Sequence, residues 1–157
     1  MAVEIERKFL VTGDSWRSLA TGTLYRQGYI ATEAGATVRI RLVGDRGYLT
    51  IKSKLGQISR TEYEYPIPAS DAREMLDNLC ERPLIEKTRY KIPLAELIWE
   101  IDEFAGENEG LILAEVELPA ENYSLDLPAW IAREVSDDPR YFNANLVKYP
   151  FKKWSEF

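Results

Sequence analysis

Val3-Glu4-Ile5-Glu6-Arg7-Lys8-Phe9-Leu10-Val11 is a stretch whose charges fall at every second position. In extended backbone successive side chains point to opposite faces, so Glu4, Glu6 and Lys8 share one side and Val3, Ile5, Phe9 and Val11 the other. Two carboxylates in one row repel each other. Such a row makes sense beside a cation that the carboxylates share and an anion that the lysine holds.

The same alternation recurs along most of the chain. Strands are expected over 2–11, 24–32, 36–43, 47–54, 59–68, 85–92, 97–104 and 111–119. Gly44-Asp45-Arg46-Gly47 reads as a hairpin turn between two of them. Arg39 and Arg41 oppose Val38, Ile40 and Leu42; Lys52 and Lys54 oppose Leu49 and Ile51. Glu62 and Glu64 oppose Tyr63, Tyr65 and Ile67; Lys87, Arg89 and Lys91 oppose Tyr90 and Ile92. Glu100 and Asp102 oppose Trp99 and Ile101; Glu115 and Glu117 oppose Ile112, Ala114, Val116 and Leu118. An antiparallel sheet with one wet face also alternates, but solvated faces mix polar residues and both signs. Here the sign is segregated strand by strand, and like charges two residues apart on one face are unfavourable without a compensating ligand or strand. If the sheet closes, the charged face becomes a lined interior, and helices cover the apolar exterior.

Helical signals are fewer. Ser70 is positioned to cap a helix running to about residue 82, with Ala72, Met75, Leu76, Leu79 and Cys80 forming an apolar stripe. Shorter helices are expected around 14–20, 128–135 and 140–148. No linker, repeat or low-complexity stretch divides the 157 residues, so one domain over 1–157 is expected.

Composition excludes several chemistries. The chain has no histidine and one cysteine, Cys80, which removes histidine general bases, Ser-His and Cys-His nucleophiles and thiolate or imidazole metal sites. A metal must then be held by oxygen ligands, which favours Mg²⁺ or Mn²⁺. A net charge of −6 argues against nucleic-acid or anionic-membrane binding and makes the Arg and Lys clusters stand out. Without an apolar run of membrane length or a signal-like N-terminus, a cytoplasmic location is expected.

Glu4-Ile5-Glu6-Arg7-Lys8 resembles the Glu-x-Glu-x-Lys signature of the triphosphate tunnel metalloenzymes, the CYTH superfamily. Arg39-Ile40-Arg41, Lys52-Ser53-Lys54, Glu62-Tyr63-Glu64, Glu86 to Tyr90, Glu100-Ile101-Asp102 and Glu115-Val116-Glu117 are similar to later motifs of that family, in its order, as is Glu134 to Asn143. The resemblance implies a mainly β, α+β fold: an eight-stranded antiparallel barrel, the triphosphate tunnel, with helices packed outside. It implies a divalent-metal-dependent inorganic triphosphatase like the small bacterial members. The alternatives are a class IV-type adenylyl cyclase and a non-catalytic sensor of polyphosphate or nucleotide. Cyclase-like members often carry His-Phe just before the signature; this chain has no histidine.

On this reading Lys8, Arg39, Arg41, Lys52, Lys54, Lys87 and Arg89 hold the phosphates, with Arg39 and Arg41 offering bidentate forks. Glu4, Glu6, Asp102, Glu115 and Glu117 are the expected metal ligands, with Asp102 and Glu64 alternatively positioning the cations. Glu6, Lys8 and Glu117 are the expected catalytic residues, Glu6 or Glu117 serving as general base. Tyr29 and Tyr63 are candidates for the tunnel edge. The substrate is a small-molecule triphosphate, and a homodimer is left open.

Overall fold

The computed structural model describes residues 2–33, 35–53 and 59–156. In chain order the regular elements are β1 (Ala2–Val11), β2 (Gly22–Ile30), β3 (Thr37–Val43), β4 (Arg46–Lys52), β5 (Ser59–Ile67), α1 (Ala69–Asn78), β6 (Ile85–Leu94), β7 (Leu97–Phe104), β8 (Ile112–Glu117), β9 (Ile131–Glu134) and α2 (Asn143–Lys148). The sheet runs β5-β4-β3-β2-β6-β7-β8-β1, and β5 pairs back onto β1. It is a closed eight-stranded antiparallel barrel. Eight strands leave an interior about wide enough for side chains.

Closure depends on the length of β1. Its first residues, Ala2 to Ile5, pair with β5, and Glu6 to Leu10 pair with β8. Where β5 has ended, β9 takes over the same edge of β1 near Phe9 and Val11. The tight β3–β4 hairpin pairs Val43 with Arg46, and Gly44 turns it at φ +59°, where a side chain would be strained.

Two of the three hydrophobic clusters lie outside the barrel, and the third closes one end of its interior. Phe9, Trp99, Ile101, Ala114 and Val116 on the outer wall are covered by Trp16, from a short 3₁₀ helix at Ser15–Leu19, and by Trp130. Ile85, Phe104 and Leu113 continue the inward rows of Lys87, Asp102 and Glu115, and Leu146 and Val147 of α2, with Tyr141 and Val135, plug that end of the barrel against them. Ile40 and Leu42 are covered by Ala72 and Leu76 of α1. With the outward rows packed under Trp16, Trp130 and α1 and one end plugged by α2, the charged side chains of the inward rows face one another across the remaining interior.

Several expectations are corrected. The segment 128–135 is not helical: Trp130 is buried and Ile131–Glu134 extends to pair with β1, where Arg7 Nη2 meets Glu134 Oε1 at 2.6 Å. An exposed strand edge and an ion-pair partner outweigh local helix preference there. The segment 140–148 divides into a 3₁₀ turn, Pro139–Tyr141, and α2. The α1 helix starts one residue before Ser70, after Pro68, and ends at Asn78 rather than 82; Ser70 therefore lies inside the first turn. Tyr63 stands on the outer face, alternating with the inward Glu62 and Glu64. Lys54 lies outside the described residues.

Candidate functional site: a charged tunnel through the barrel

Strand register determines which charges meet. Arg89 is opposite Asp102, Lys8 opposite Glu115 and Lys52 opposite Glu62. Glu6 is directly opposite Glu117, and Glu100 opposite Glu115. The first set attracts and the second repels.

These side chains line two connected chambers. An inner one of about 80 Å³ is bounded by Lys8, Lys52, Arg60, Lys87 and residues 142–144. It opens into an outer one of about 440 Å³ that carries Glu62, Glu64, Glu100 and Glu117. Glu4, Glu6, Arg39, Arg41, Lys52, Arg89 and Glu115 border both. The cavity is therefore basic at one end, acidic at the other and mixed in the middle.

Most cations are held by carboxylates. Asp102, fully buried, accepts from Lys87 Nζ at 2.7 Å and from Arg89 Nε and Nη2 at 2.7 and 2.9 Å. Lys8 Nζ lies 3.2 Å from Glu115 Oε1, and Lys52 Nζ 2.7 Å from Glu4 Oε1 and 3.5 Å from Glu62 Oε2. Three cations are less committed. Arg39 Nη2 donates to Thr50 Oγ1 at 3.2 Å and stands 3.6 Å from Glu64, but its buried Nε has no hydrogen-bond partner among the described residues. Arg41 donates its Nε to Gln27 Oε1 at 2.8 Å, and Arg60 donates to Thr37 Oγ1 and the Ser53 carbonyl. Neither forms an ion pair among the described residues. Unspent donors on buried guanidinium groups are capacity for an anion.

Titration follows from this packing. Burial pushes Glu6 up to about 8, reinforced by the negative charges of Glu115 and Glu4. Burial raises Glu117 as well, with Glu4 and Glu100 adding to it. For Glu4, burial opposes ionisation but the Lys52 ammonium outweighs it, and the pKa falls. Glu115 likewise overcomes its burial through Lys8, Arg89 and Lys87 and lies well below the usual range. Burial takes Lys87 down to about 7 against the pull of Asp102, and takes Arg41 to about 9 with Arg39 and Arg89 adding repulsion.

The chain matches the CYTH domain over residues 2–147. It belongs to the CYTH family. An inorganic triphosphatase of Acetivibrio thermocellus is 56% identical over 156 residues, covering 99% of this chain and all of the relative. One from Nitrosomonas europaea is 40% identical over 153 residues, covering 92% and 96%. The crystal structure of the inorganic triphosphatase NE1496 superposes with a TM-score of 0.64 at 35% identity, covering 91% of this chain and 96% of that one. A putative adenylate cyclase from Bacillus halodurans, 18% identical with a TM-score of 0.58 over 77% of this chain and 84% of its own, shares the fold.

Within this CYTH barrel the described site candidates Glu4, Glu6, Lys8, Arg39, Arg41, Lys52, Lys87, Arg89, Glu115 and Glu117 line the chambers. Asp102 lies behind Lys87 and Arg89. The charge pattern alone did not single out Tyr25, Gln27, Arg60 or Asn143, all of which line the cavity. Arg60 precedes Glu62 by two and belongs to the same inward row, so strand alternation would have found it. Gln27 carries no charge and escaped a search for charge.

Proposed function

We propose that the protein hydrolyses a phosphoanhydride bond of inorganic triphosphate, assisted by Mg²⁺ or Mn²⁺. The observation that carries this reading is the cluster of Arg39, Arg41 and Arg60 with uncommitted donors, facing a carboxylate wall in a narrow channel. A linear condensed phosphate fits it better than a bulky ligand. Phosphoryl transfer asks a protein mainly for positioning and charge stabilisation, and this cavity supplies both. The inorganic triphosphatase relatives support the same substrate.

The carboxylates suit a hard cation by their chemistry. Glu4, Glu6, Glu115 and Glu117 supply only oxygen, and burial, with neighbouring carboxylates adding to it, raises Glu6 and Glu117. No three described residues converge tightly enough to hold a metal as they stand. Lys52 and Lys8 occupy Glu4 and Glu115 instead. When phosphates draw those ammonium groups away, the carboxylates become available. A divalent cation held there supplies Lewis-acid stabilisation of charge on the phosphoryl oxygens. Asp102 has both oxygens committed, which suits it to aiming Arg89 and Lys87 rather than to ligating a metal.

Arg39, Arg41, Arg89, Lys8, Lys52 and Lys87 bind and orient the chain, with Lys54 a further candidate. Lys8, between the two functions, donates to a phosphoryl oxygen. Glu6, with a pKa near the working pH, takes the proton of the attacking water at its carboxylate oxygen, and Glu117 is the second candidate for that role.

The test is a phosphate-release screen over tripolyphosphate, pyrophosphate, ATP and thiamine triphosphate, with each metal. Phosphate released from tripolyphosphate is expected. Cyclic AMP and pyrophosphate from ATP would overturn the hydrolase in favour of a cyclase. Tight binding without turnover would instead leave a sensor.

A further inference from the structure

The row that β2 turns inward carries no charge. It holds Tyr25, Gln27 and Tyr29, and β2 lies between β3, with Arg39 and Arg41, and β6, with Lys87 and Arg89. Four cations thus flank one neutral strand. The Tyr25 ring separates two of them, with Arg41 Cζ 5.0 Å and Arg89 Cζ 4.9 Å from its centroid.

Gln27 is fully buried, yet hydrogen-bonded at both ends of its amide. Its Oε1 accepts from Arg41 Nε at 2.8 Å, and its Nε2 donates to Tyr29 Oη at 3.1 Å and Asn143 Oδ1 at 3.2 Å. Asn143 Oδ1, at the start of α2, also accepts from Lys87 Nζ at 3.1 Å. Guanidinium and ammonium groups only donate, so each amide must turn its oxygen to its cation. Arg41, Gln27, Asn143 and Lys87 are therefore joined in one network that converges on Asn143 Oδ1, to which both Gln27 and Lys87 donate.

Several other cations of the cavity are held by a carboxylate: Arg89 by Asp102, Lys8 by Glu115, Lys52 by Glu4. A carboxylate orients its cation but cancels the charge. An amide orients it and leaves the charge for a ligand. We propose that Gln27 and Asn143 are neutral positioning residues, which aim Arg41 and Lys87 at the substrate phosphates without adding negative charge to the wall between them. Gln27 is the principal one, because Arg41 has no carboxylate partner among the described residues, whereas Lys87 is also paired with Asp102. The inference rests on the triphosphate reading of the cavity and adds a requirement that the wall between the two basic strands be uncharged.

Three variants test it: Gln27→Glu, which keeps shape and acceptor but adds charge; Gln27→Leu, which removes the acceptor; and Asn143→Asp. Each is compared with wild type by calorimetric titration of tripolyphosphate in EDTA, by phosphate release with Mg²⁺ or Mn²⁺, and by thermal melting. Gln27→Glu is expected to melt at or above the wild-type midpoint, yet to bind tripolyphosphate at least tenfold more weakly. Its KM should rise in step and kcat change less. Gln27→Leu should lose more in kcat than Gln27→Glu, because Arg41 is no longer aimed. Asn143→Asp, at the cavity wall, should weaken binding about fivefold, and it carries the test if Gln27→Glu does not fold. Binding by Gln27→Glu, or by Asn143→Asp in its place, within twofold of wild type overturns the proposal. So does an identical loss in Gln27→Glu and Gln27→Leu, which would mark Gln27 as packing. If wild type binds tripolyphosphate but releases no phosphate, the triphosphatase reading fails while the binding ratios still decide this one. If wild type neither binds nor hydrolyses it, both fall.

Discussion

Glu6→Gln should make the metal-free protein more stable at pH 8 while abolishing its activity. Glu6 faces Glu117 in register and senses Glu115 and Glu4, and burial with these charges raises its pKa to about 8. An unfolded glutamate titrates near about 4.3. Between those two values the folded state binds the extra proton. The stability that Glu6 contributes is thus complete below about pH 4.3 and drains away as pH rises through about 8. At about 1.4 kcal/mol per pKa unit the full shift would amount to roughly 5 kcal/mol, and hydration of the cavity with salt screening brings the expected difference to about 2 kcal/mol. Urea melts of wild type and Glu6→Gln in EDTA, at pH 5 and pH 8, read this directly. The variant's advantage should grow between the two pH values. Mg²⁺ added at pH 8 should raise the wild-type midpoint and close the gap, because an ion that binds only the folded state stabilises it. Stability curves that run parallel from pH 5 to 8 would refute the charge-crowding argument.

Asp102→Asn leaves Arg89 and Lys87 buried without their counter-charge, and should cost about 3–5 kcal/mol in chemical denaturation; a loss under about 1 kcal/mol would show that neighbouring carboxylates replace it. Arg39→Ala removes a guanidinium whose Nε has no hydrogen-bond partner among the described residues. Its tripolyphosphate kcat/KM should fall about 10–100-fold with little change in melting temperature, since a charge-assisted contact is worth about 1.5–3 kcal/mol. Leu76→Ala empties the fully buried contact between α1 and the outer wall, and should destabilise by about 2–5 kcal/mol while leaving activity per folded molecule unchanged. A changed KM in that variant would show that the outer core shapes the tunnel.

The inward rows could be read from the sequence because strand alternation is strictly local. Glu4 and Glu6, Arg39 and Arg41, and Glu115 and Glu117 needed only extended backbone to share a face. Which row meets which could not be read, since it depends on register between distant segments: Lys8 with Glu115, and Arg89 with Asp102. That register places both oxygens of Asp102 on Lys87 and Arg89, which favours the positioning role over the ligand role among the two expected for it. The β9 strand was hidden for a related reason. Residues 131–134 have no strong strand signal, and their conformation is decided by the free edge of β1 beyond β5. The neutral β2 row escaped because its value lies in what it lacks. Gln27 gains meaning only once Arg41 and Asn143 are known to face it.

The arrangement also bears on why so charged an interior folds at all. Buried ion pairs seldom stabilise a fold on balance, because desolvation offsets their attraction. Stability must therefore come from the three apolar clusters, two outside the wall and one closing its end, and the charged part of the interior has only to be tolerable. Carboxylates make it so by serving as counter-ions in the free state: Glu4 for Lys52, Glu115 for Lys8, Asp102 for Arg89 and Lys87. On the proposed reading, substrate and metal exchange these partners. Phosphate oxygens would take the ammonium groups, and Glu4 and Glu115, with Glu6 and Glu117, would hold the metal, which would supply charge stabilisation to the phosphoryl oxygens. Charge balance is kept throughout, so little of the binding energy is lost to unpaired charge. Asp102 does not take part in the exchange. Held at 2.7 Å by both Lys87 and Arg89, it keeps the basic end of the tunnel aimed while the rest of the wall changes partners.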